Sequence, residues 1–357
     1  MSQVNLQNLV RDKVKSLKAY HVDTIDAAIK MHANENPYPP SNELIGQFKE
    51  IFGSLELNRY PDPDCRNLKQ ALSGRIGVPA ENLIVGNGSD ELILLILQVF
   101  CDASETVAFP DPTFAMYSII SRGMGIRPLP LPLDDRWEFK ADALLQEASQ
   151  NRARVLFISY PNNPTGNCFN AGEVRALIEN FEGIVVLDEA YHDFAGKTFA
   201  GDLDRHNNLV VLRSLSKIGL AGLRVGFGAA HPEIIAELNK VRLPYNSNTV
   251  SQTFAEKLMR NFGPVQTQIS MIRQERDRLY QALLKMEAVH VFPSDSNFIL
   301  FRVKRDSSEI FQNLAKHGIL IRDLGTHPRL KNCLRVTVGT EMENNRFLEQ
   351  LANATQG

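Results

Sequence analysis

Short, continuously apolar runs alternate with helix-like segments between about residue 65 and residue 245. The runs occupy 83–85, 106–109, 155–159, 184–187, 209–212 and 225–229. Because they are apolar throughout and do not alternate with polar residues, they predict strands covered on both faces. Segments 91–100 and 170–180 predict helices between them. The alternation predicts a mostly parallel sheet with helices on both faces. After Pro244 the texture changes. Residues 251 to about 286 are rich in Gln, Arg and Glu and predict one long helix; 297–303, 318–322 and 334–338 predict strands, with helices between and after them. The fold class expected is α/β, a large domain with a mostly parallel sheet plus a smaller α+β domain. Residues 1–45 are read as an N-terminal segment packing on the small domain, 46–245 as the large domain and 246–357 as the small one.

Composition narrows the function classes. The chain has 357 residues, 43% of them hydrophobic, with 39 Lys and Arg against 41 Asp and Glu. That is too apolar and too balanced for a disordered chain. A net charge of −2 leaves no electrostatic footprint for nucleic acid or an anionic membrane. The longest apolar run, 92–100, is about half of what a bilayer span needs. The first 20 residues carry charges throughout and show no apolar core of a secretion signal. Cys65, Cys101, Cys168 and Cys333 lie far apart, which fits a reducing cytoplasm and neither a zinc site nor a disulfide framework. The eight histidines show no H-E-x-x-H motif, so a metal-dependent hydrolase is not expected.

In open α/β sheets ligands sit beyond the carboxyl ends of the strands, so the chemistry is sought there. After the first run comes Gly86-Asn87-Gly88-Ser89-Asp90-Glu91, a glycine turn and helix start whose backbone N–H groups suit a phosphate. A capped helix start with no ligand reads the same way. It is not a dinucleotide fingerprint, since Glu91 stands where glycine is needed. After the second run, Phe114 is either a core aromatic or a ring for stacking. After the third, Tyr160-Pro161-Asn162-Asn163-Pro164 is a rigid turn that also aims an amide. After the fourth, Asp188 ends a buried strand and requires a cation or several donors, an ion pair being the plainer choice. Tyr191 follows three residues later. After the fifth, Ser214 and Ser216 precede Lys217, with Arg224 shortly beyond. Lys217 stands among small and apolar residues, which disfavours its ammonium form and suits Schiff-base chemistry.

A pyridine ring bearing a phosphate and an aldehyde answers all of these features in this order. The chain resembles fold-type I pyridoxal-phosphate enzymes of the aminotransferase class and, more narrowly, the histidinol-phosphate aminotransferase family. His32-Ala33-Asn34-Glu35-Asn36-Pro37, Asn58-Arg59-Tyr60-Pro61-Asp62-Pro63 and Leu334-Arg335-Val336-Thr337-Val338-Gly339-Thr340 carry the resemblance further along the chain. It implies that Lys217 holds pyridoxal 5'-phosphate as a covalent aldimine and shuttles the substrate proton. It implies that Asp188 pairs with the ring nitrogen, that Tyr191 and Asn163 bond the ring oxygen, and that Phe114 stacks on the ring. Many relatives have Tyr in place of Phe114, so a hydroxyl contact is lost there.

By the same resemblance, Ser89, Asp90, Ser214, Ser216 and Arg224 hold the cofactor phosphate, although the loop from Lys217 to Arg224 looks one residue shorter than in some relatives. Tyr60 reaches the neighbouring subunit's site, which implies a homodimer. Arg322 and Arg335 face the substrate, and Tyr20 and Asn34 complete its pocket. On its strand, Arg335 points with Thr337 away from Leu334, Val336 and Val338, and a solvated arginine fits that position too. The implied reaction is transamination of L-histidinol phosphate with 2-oxoglutarate, giving imidazole acetol phosphate and glutamate, in histidine biosynthesis. The alternatives are an aromatic amino acid aminotransferase or a threonine-phosphate decarboxylase. A non-enzymatic regulator would need a DNA-binding segment ahead of Tyr20, and no basic helix pair stands there.

Overall fold

A computed structural model describes residues 4–19 and 25–356. Among them the strands are β1 (Ile29–Lys30), β2 (Leu83–Asn87), β3 (Thr106–Asp111), β4 (Arg127–Pro132), β5 (Ala153–Ser159), β6 (Ile184–Asp188), β7 (Leu209–Ser214), β8 (Val225–Ala230), β9 (Val289–Val291), β10 (Phe298–Val303), β11 (Ile319–Leu320), β12 (Arg322–Asp323) and β13 (Cys333–Thr337). The large sheet has the order β2-β8-β7-β6-β5-β3-β4. From β7 to β4 the neighbours run parallel, and β8 is antiparallel to both β2 and β7.

The continuous apolar runs have the expected cause. Along β5, Leu156 and Ile158 enter one core, whereas Val155 and Phe157 enter another on the opposite face. Val185 and Leu187 of β6 divide from Val186 in the same way. Both faces are covered, so no position is left for a polar alternation. Four strands run on beyond their apolar run to a polar residue, ending at Asn87, Asp111, Asp188 and Ser214.

Strand β4 is absent from the sequence reading. Its residues are Arg-Pro-Leu-Pro-Leu-Pro, and proline cannot donate to a ladder. It is tolerated because β4 lies at the sheet's edge. The single helix expected over 251–286 is two helices, Thr249–Arg260 and Gly263–Leu284. Pro264 explains the break: it lacks an N–H but suits the first turn of a new helix.

The strand expected over 318–322 is also divided. β11 pairs in parallel with β1, whereas β12 joins the antiparallel sheet β12-β13-β10-β9. That smaller sheet packs Ile299, Phe301 and Val336 against Leu283, Ile310 and Phe347.

The N-terminal segment does not pack wholly where expected. Ile29–Lys30 joins β11, but Arg11 and Lys13 donate to the carbonyls of Gly123 and Gly125, at the end of the helix Met116–Met124 beside the large sheet. Cations favour such exposed carbonyls at a helix C-terminus. The helix Thr249–Arg260, placed in the small domain by sequence, buries Ala255 and Leu258 in the same core as Leu68 and Leu72.

Candidate active site

The strand ends build one cavity of about 200 Å³. Ser89, Asp90, Phe114, Asn163, Asp188, Tyr191, Ser214, Ser216, Lys217 and Arg224 all line it, together with Ala33, Glu35 and Ser159. Residues from five strand–turn junctions thus meet, although they are up to 135 positions apart (Ser89 to Arg224, 224 − 89).

Asp188 is the last residue of β6 and is 3% exposed. Tyr117 donates its hydroxyl to Asp188 Oδ2 at 2.8 Å, and the Ala190 amide donates to Oδ1 at 3.2 Å. Burial pushes the Asp188 carboxyl up to about 6, against these two donors. Sequence reasoning missed Tyr117. It is fully buried, stacked on Phe157 with centroids 4.7 Å apart, and edge-on to Phe114 at 5.6 Å. Its place three residues after Phe114, at the start of a helix, was the available signal.

The Tyr191 hydroxyl accepts from Asn34 Nδ2 at 2.9 Å and from Asn163 Nδ2 at 3.3 Å. With two amides donating to it, the hydroxyl proton is available for an acceptor in the cavity. Asn163 Oδ1 accepts from Arg335 Nη1 at 2.6 Å, and Arg335 Nη2 donates to the His32 carbonyl at 2.7 Å. Asn34 is bound on its other side by Thr337, whose hydroxyl donates to Asn34 Oδ1 at 3.2 Å and accepts from the Asn34 amide at 2.9 Å. This network ties β13 of the small sheet to the turns after β5 and β6. Lys217 Nζ donates to the Ala33 carbonyl at 3.4 Å and lies 5.7 Å from the centre of the Tyr191 ring.

The anion cradle depends on two glycines. Gly88 has φ of 85°, and a Cβ there would stand 2.6 Å from Arg224 Nη2. A Cβ on Gly226 would collide with the Ser89 amide nitrogen and the Gly88 backbone. Only bare backbone lets β8 pass so close beneath the turn. The helix Ser89–Phe100 begins there with no side chain capping it. Its first residues, Ser89 and Asp90, line the cavity with Ser214, Ser216 and Arg224, and a helix N-terminus beside a guanidinium suits an anion. Arg224 Nη1 donates to Ser216 Oγ at 3.4 Å, and Nη2 is 3.6 Å from Asp90 Oδ2.

A second cavity of about 330 Å³ shares Phe114, Asn163, Tyr191 and Lys217 with the first and extends to His32, Asn34, Thr113, Arg322, His327 and Arg335. Arg322 and Arg335 are cross-strand partners. Like charges directly opposite disfavour a sheet, so this pairing suits a site for anions. Arg335 is 9% exposed and so is not the solvated arginine its strand position also allowed. Asn34 lines this cavity as expected, but its amide is engaged with Tyr191 and Thr337. Tyr60 lies in neither cavity: it is 80% exposed and stacks on Tyr245 with centroids 4.5 Å apart. Tyr20 lies outside the described residues.

Beneath the site, Glu189 is fully buried and accepts from Arg213 Nη2 at 3.0 Å, from the Thr198 hydroxyl at 2.7 Å and from the Phe199 amide at 2.7 Å. The pair joins the turn after β6 to β7.

A strand-end lysine facing a buried aspartate, with an anion cradle beside them, places the molecule among the aminotransferases. The family model described as aminotransferase class I and II matches residues 26–351, and the chain belongs to that family. It is 42% identical over 354 residues to histidinol-phosphate aminotransferase 2 of Nitrosococcus oceani, covering 98% of both chains. It is 39% identical to the histidinol-phosphate aminotransferase of Thermoanaerobacter pseudethanolicus, covering 97% of this chain and 98% of that one. Within the class, the chain belongs to the histidinol-phosphate aminotransferase family. The crystal structure of histidinol-phosphate aminotransferase from Sinorhizobium meliloti in complex with pyridoxal-5'-phosphate has the same fold, with a TM-score of 0.89, 24% identity and 97% of each chain covered.

Proposed function

We propose that the chain transfers the amino group of L-histidinol phosphate to 2-oxoglutarate, giving imidazole acetol phosphate and glutamate in histidine biosynthesis, with pyridoxal 5'-phosphate held at Lys217. The observation that carries this reading is the buried Asp188 carboxylate in a cavity that also holds the Lys217 amine and adjoins paired arginines. Asp188 is raised by burial and bonded by neutral donors alone, so a cationic ring nitrogen suits it. When bound, the cofactor supplies an aldehyde for exchange with amines and a ring that draws electrons from the substrate's α carbon.

The chain's own residues do the rest. Asp188 holds the proton at the ring nitrogen. Lys217 would hold the cofactor through Nζ and would move the proton at the substrate's α carbon. Tyr191 Oη and Asn163 Nδ2 would both donate to the ring oxygen. Phe114 packs on the ring face and excludes water. The Ser89 and Asp90 amides, with Ser214, Ser216 and Arg224, bind the phosphate. Arg322 and Arg335 bind the phosphate of one substrate and a carboxylate of the other in turn, since a guanidinium suits both. Asn34 borders the substrate, and Tyr20 is proposed beside it.

Tyr60, exposed and stacked on Tyr245, is proposed to reach the neighbouring subunit's cofactor in a two-fold homodimer. Divisions near residues 45 and 245 are proposed to separate the N-terminal segment, the large domain and the small domain, with the helix Thr249–Arg260 packing back on the large domain. Among the described residues no helix is long and apolar enough to cross a membrane. The free thiols of the four cysteines support a cytoplasmic setting.

Specificity constants for histidinol phosphate and phenylalanine test the substrate. A higher value for phenylalanine would replace this assignment with an aromatic aminotransferase. A visible absorption band that shifts on adding histidinol phosphate tests cofactor and amino donor together.

A further inference from the structure

Segment 324–330 follows β12, the strand that carries Arg322, and Leu324, His327 and Leu330 from it line the larger cavity. Its start is held by Asp323, whose Oδ1 accepts from the Gly325 amide and the Ser307 hydroxyl, both at 2.9 Å. Its far end is joined to the other sheet. His327 Nε2 lies 3.2 Å from Oδ1 of Asp111, the last residue of β3. The Arg329 guanidinium donates to the carbonyl of Leu133, just past β4. The other ring nitrogen decides the tautomer. Nδ1 accepts from the Arg329 amide at 3.3 Å, so the ring proton sits on Nε2 and is donated to Asp111. Leu330, 2% exposed, then anchors the segment in a core shared with the large sheet.

We infer that His327 is a positioning residue: through Asp111 it latches the wall of the substrate cavity, and with it the strand of Arg322, onto the carboxyl end of the large sheet. The inference rests on the reading of this cavity as the substrate site. His327 and Asp111 stand outside the cofactor cavity, so the latch acts on substrate binding and leaves the cofactor unaffected. Without it, β12 loses a tether and the anion-binding arginine loses its fixed distance from Lys217. Substrate then binds more weakly, while chemistry proceeds normally once it is seated.

The test uses the holoenzyme and three substitutions. His327→Phe keeps an aromatic ring and removes both nitrogens, His327→Gln keeps an amide donor, and Asp111→Ala removes the acceptor. His327→Phe is expected to raise KM for histidinol phosphate about tenfold with kcat within about twofold, the size of effect expected from losing a hydrogen bond to a charged group. His327→Gln is expected to recover most of it, and the His327→Phe/Asp111→Ala pair to be no worse than either alone. An unchanged KM in His327→Phe, or additive effects in the pair, overturns the inference. Amide hydrogen exchange gives a readout independent of substrate. Exchange across 324–330 is expected to quicken in His327→Phe while β5 and β6 are unaltered, and equal exchange in both proteins rejects the latch. Failure of the unaltered protein to turn over histidinol phosphate would refute the substrate assignment separately, and the exchange result would still decide on the latch.

Discussion

At the scale of single residues, Lys217 and Asp188 are proposed to bear the chemistry, and Tyr117 donates to Asp188. Lys217→Ala removes both the proposed covalent attachment and the proposed proton carrier, so turnover is expected to fall by about 10⁴-fold, with loss of borohydride labelling at this position. Tyr117→Phe deletes a 2.8 Å hydrogen bond to Asp188 and leaves the ring packing intact. The carboxylate is then less stable, and cofactor affinity is expected to drop about tenfold in an absorbance titration.

The pH dependence of the cofactor-free protein follows from two buried groups of opposite sign. Asp188 rises from 3.8 to about 6 on folding, so its contribution to stability is full below pH 3.8 and is lost as pH climbs through 6. His192 falls from 6.5 to about 4 because of burial, so its contribution is full above pH 6.5 and is lost as pH drops through 4. The two oppose one another over the same window. Asp188→Asn removes the first alone. Its urea midpoint should therefore decline more steeply than that of the unaltered protein between pH 6.5 and 4.

At the scale of elements, the site depends on how strands end and how closely two of them pass. Gly226→Ala on β8 puts a Cβ against the backbone of Gly88 and Ser89, which cannot yield as a side-chain tip does. The expected result is a loss of about 1–3 kcal/mol in chemical denaturation together with weaker phosphate binding in the cradle. Much at this scale was legible beforehand. The apolar runs marked six strands of the large sheet, and their polar successors marked most of the residues that line the cavity beyond them. β4 was not legible, because its three prolines are acceptable only on an edge strand, and edge position is a property of the assembled sheet. Nor was the break between the helices Thr249–Arg260 and Gly263–Leu284 anticipated, although Pro264 was there to mark it.

At the scale of the whole molecule, Tyr60 makes the strongest prediction. Its exposed position gives it no role within a single chain's cavities, and the dimer proposal gives it one in the neighbour's. Mixing inactive Lys217→Ala with inactive Tyr60→Ala under conditions of subunit exchange then creates mixed dimers with one intact site. Activity should return to about a quarter of the unaltered level by symmetry. No recovery would place Tyr60 outside the partner's site. Sedimentation of the unaltered chain checks the dimer itself.

The linear order of residues determined the covered sheet, the strand-end chemistry and the family resemblance, because apolar periodicity and turn residues act over a few positions. Tertiary structure alone decided which partners those side chains meet. Tyr117 on Asp188, Asn34 and Asn163 on Tyr191, and His327 on Asp111 are contacts between segments 28 to 216 positions apart. Burial of Arg335 was likewise decided in space, where its guanidinium meets Asn163 in the turn after β5 and the His32 carbonyl. Hydrogen bonding and burial of this kind depend on distances in space, which local pattern does not encode.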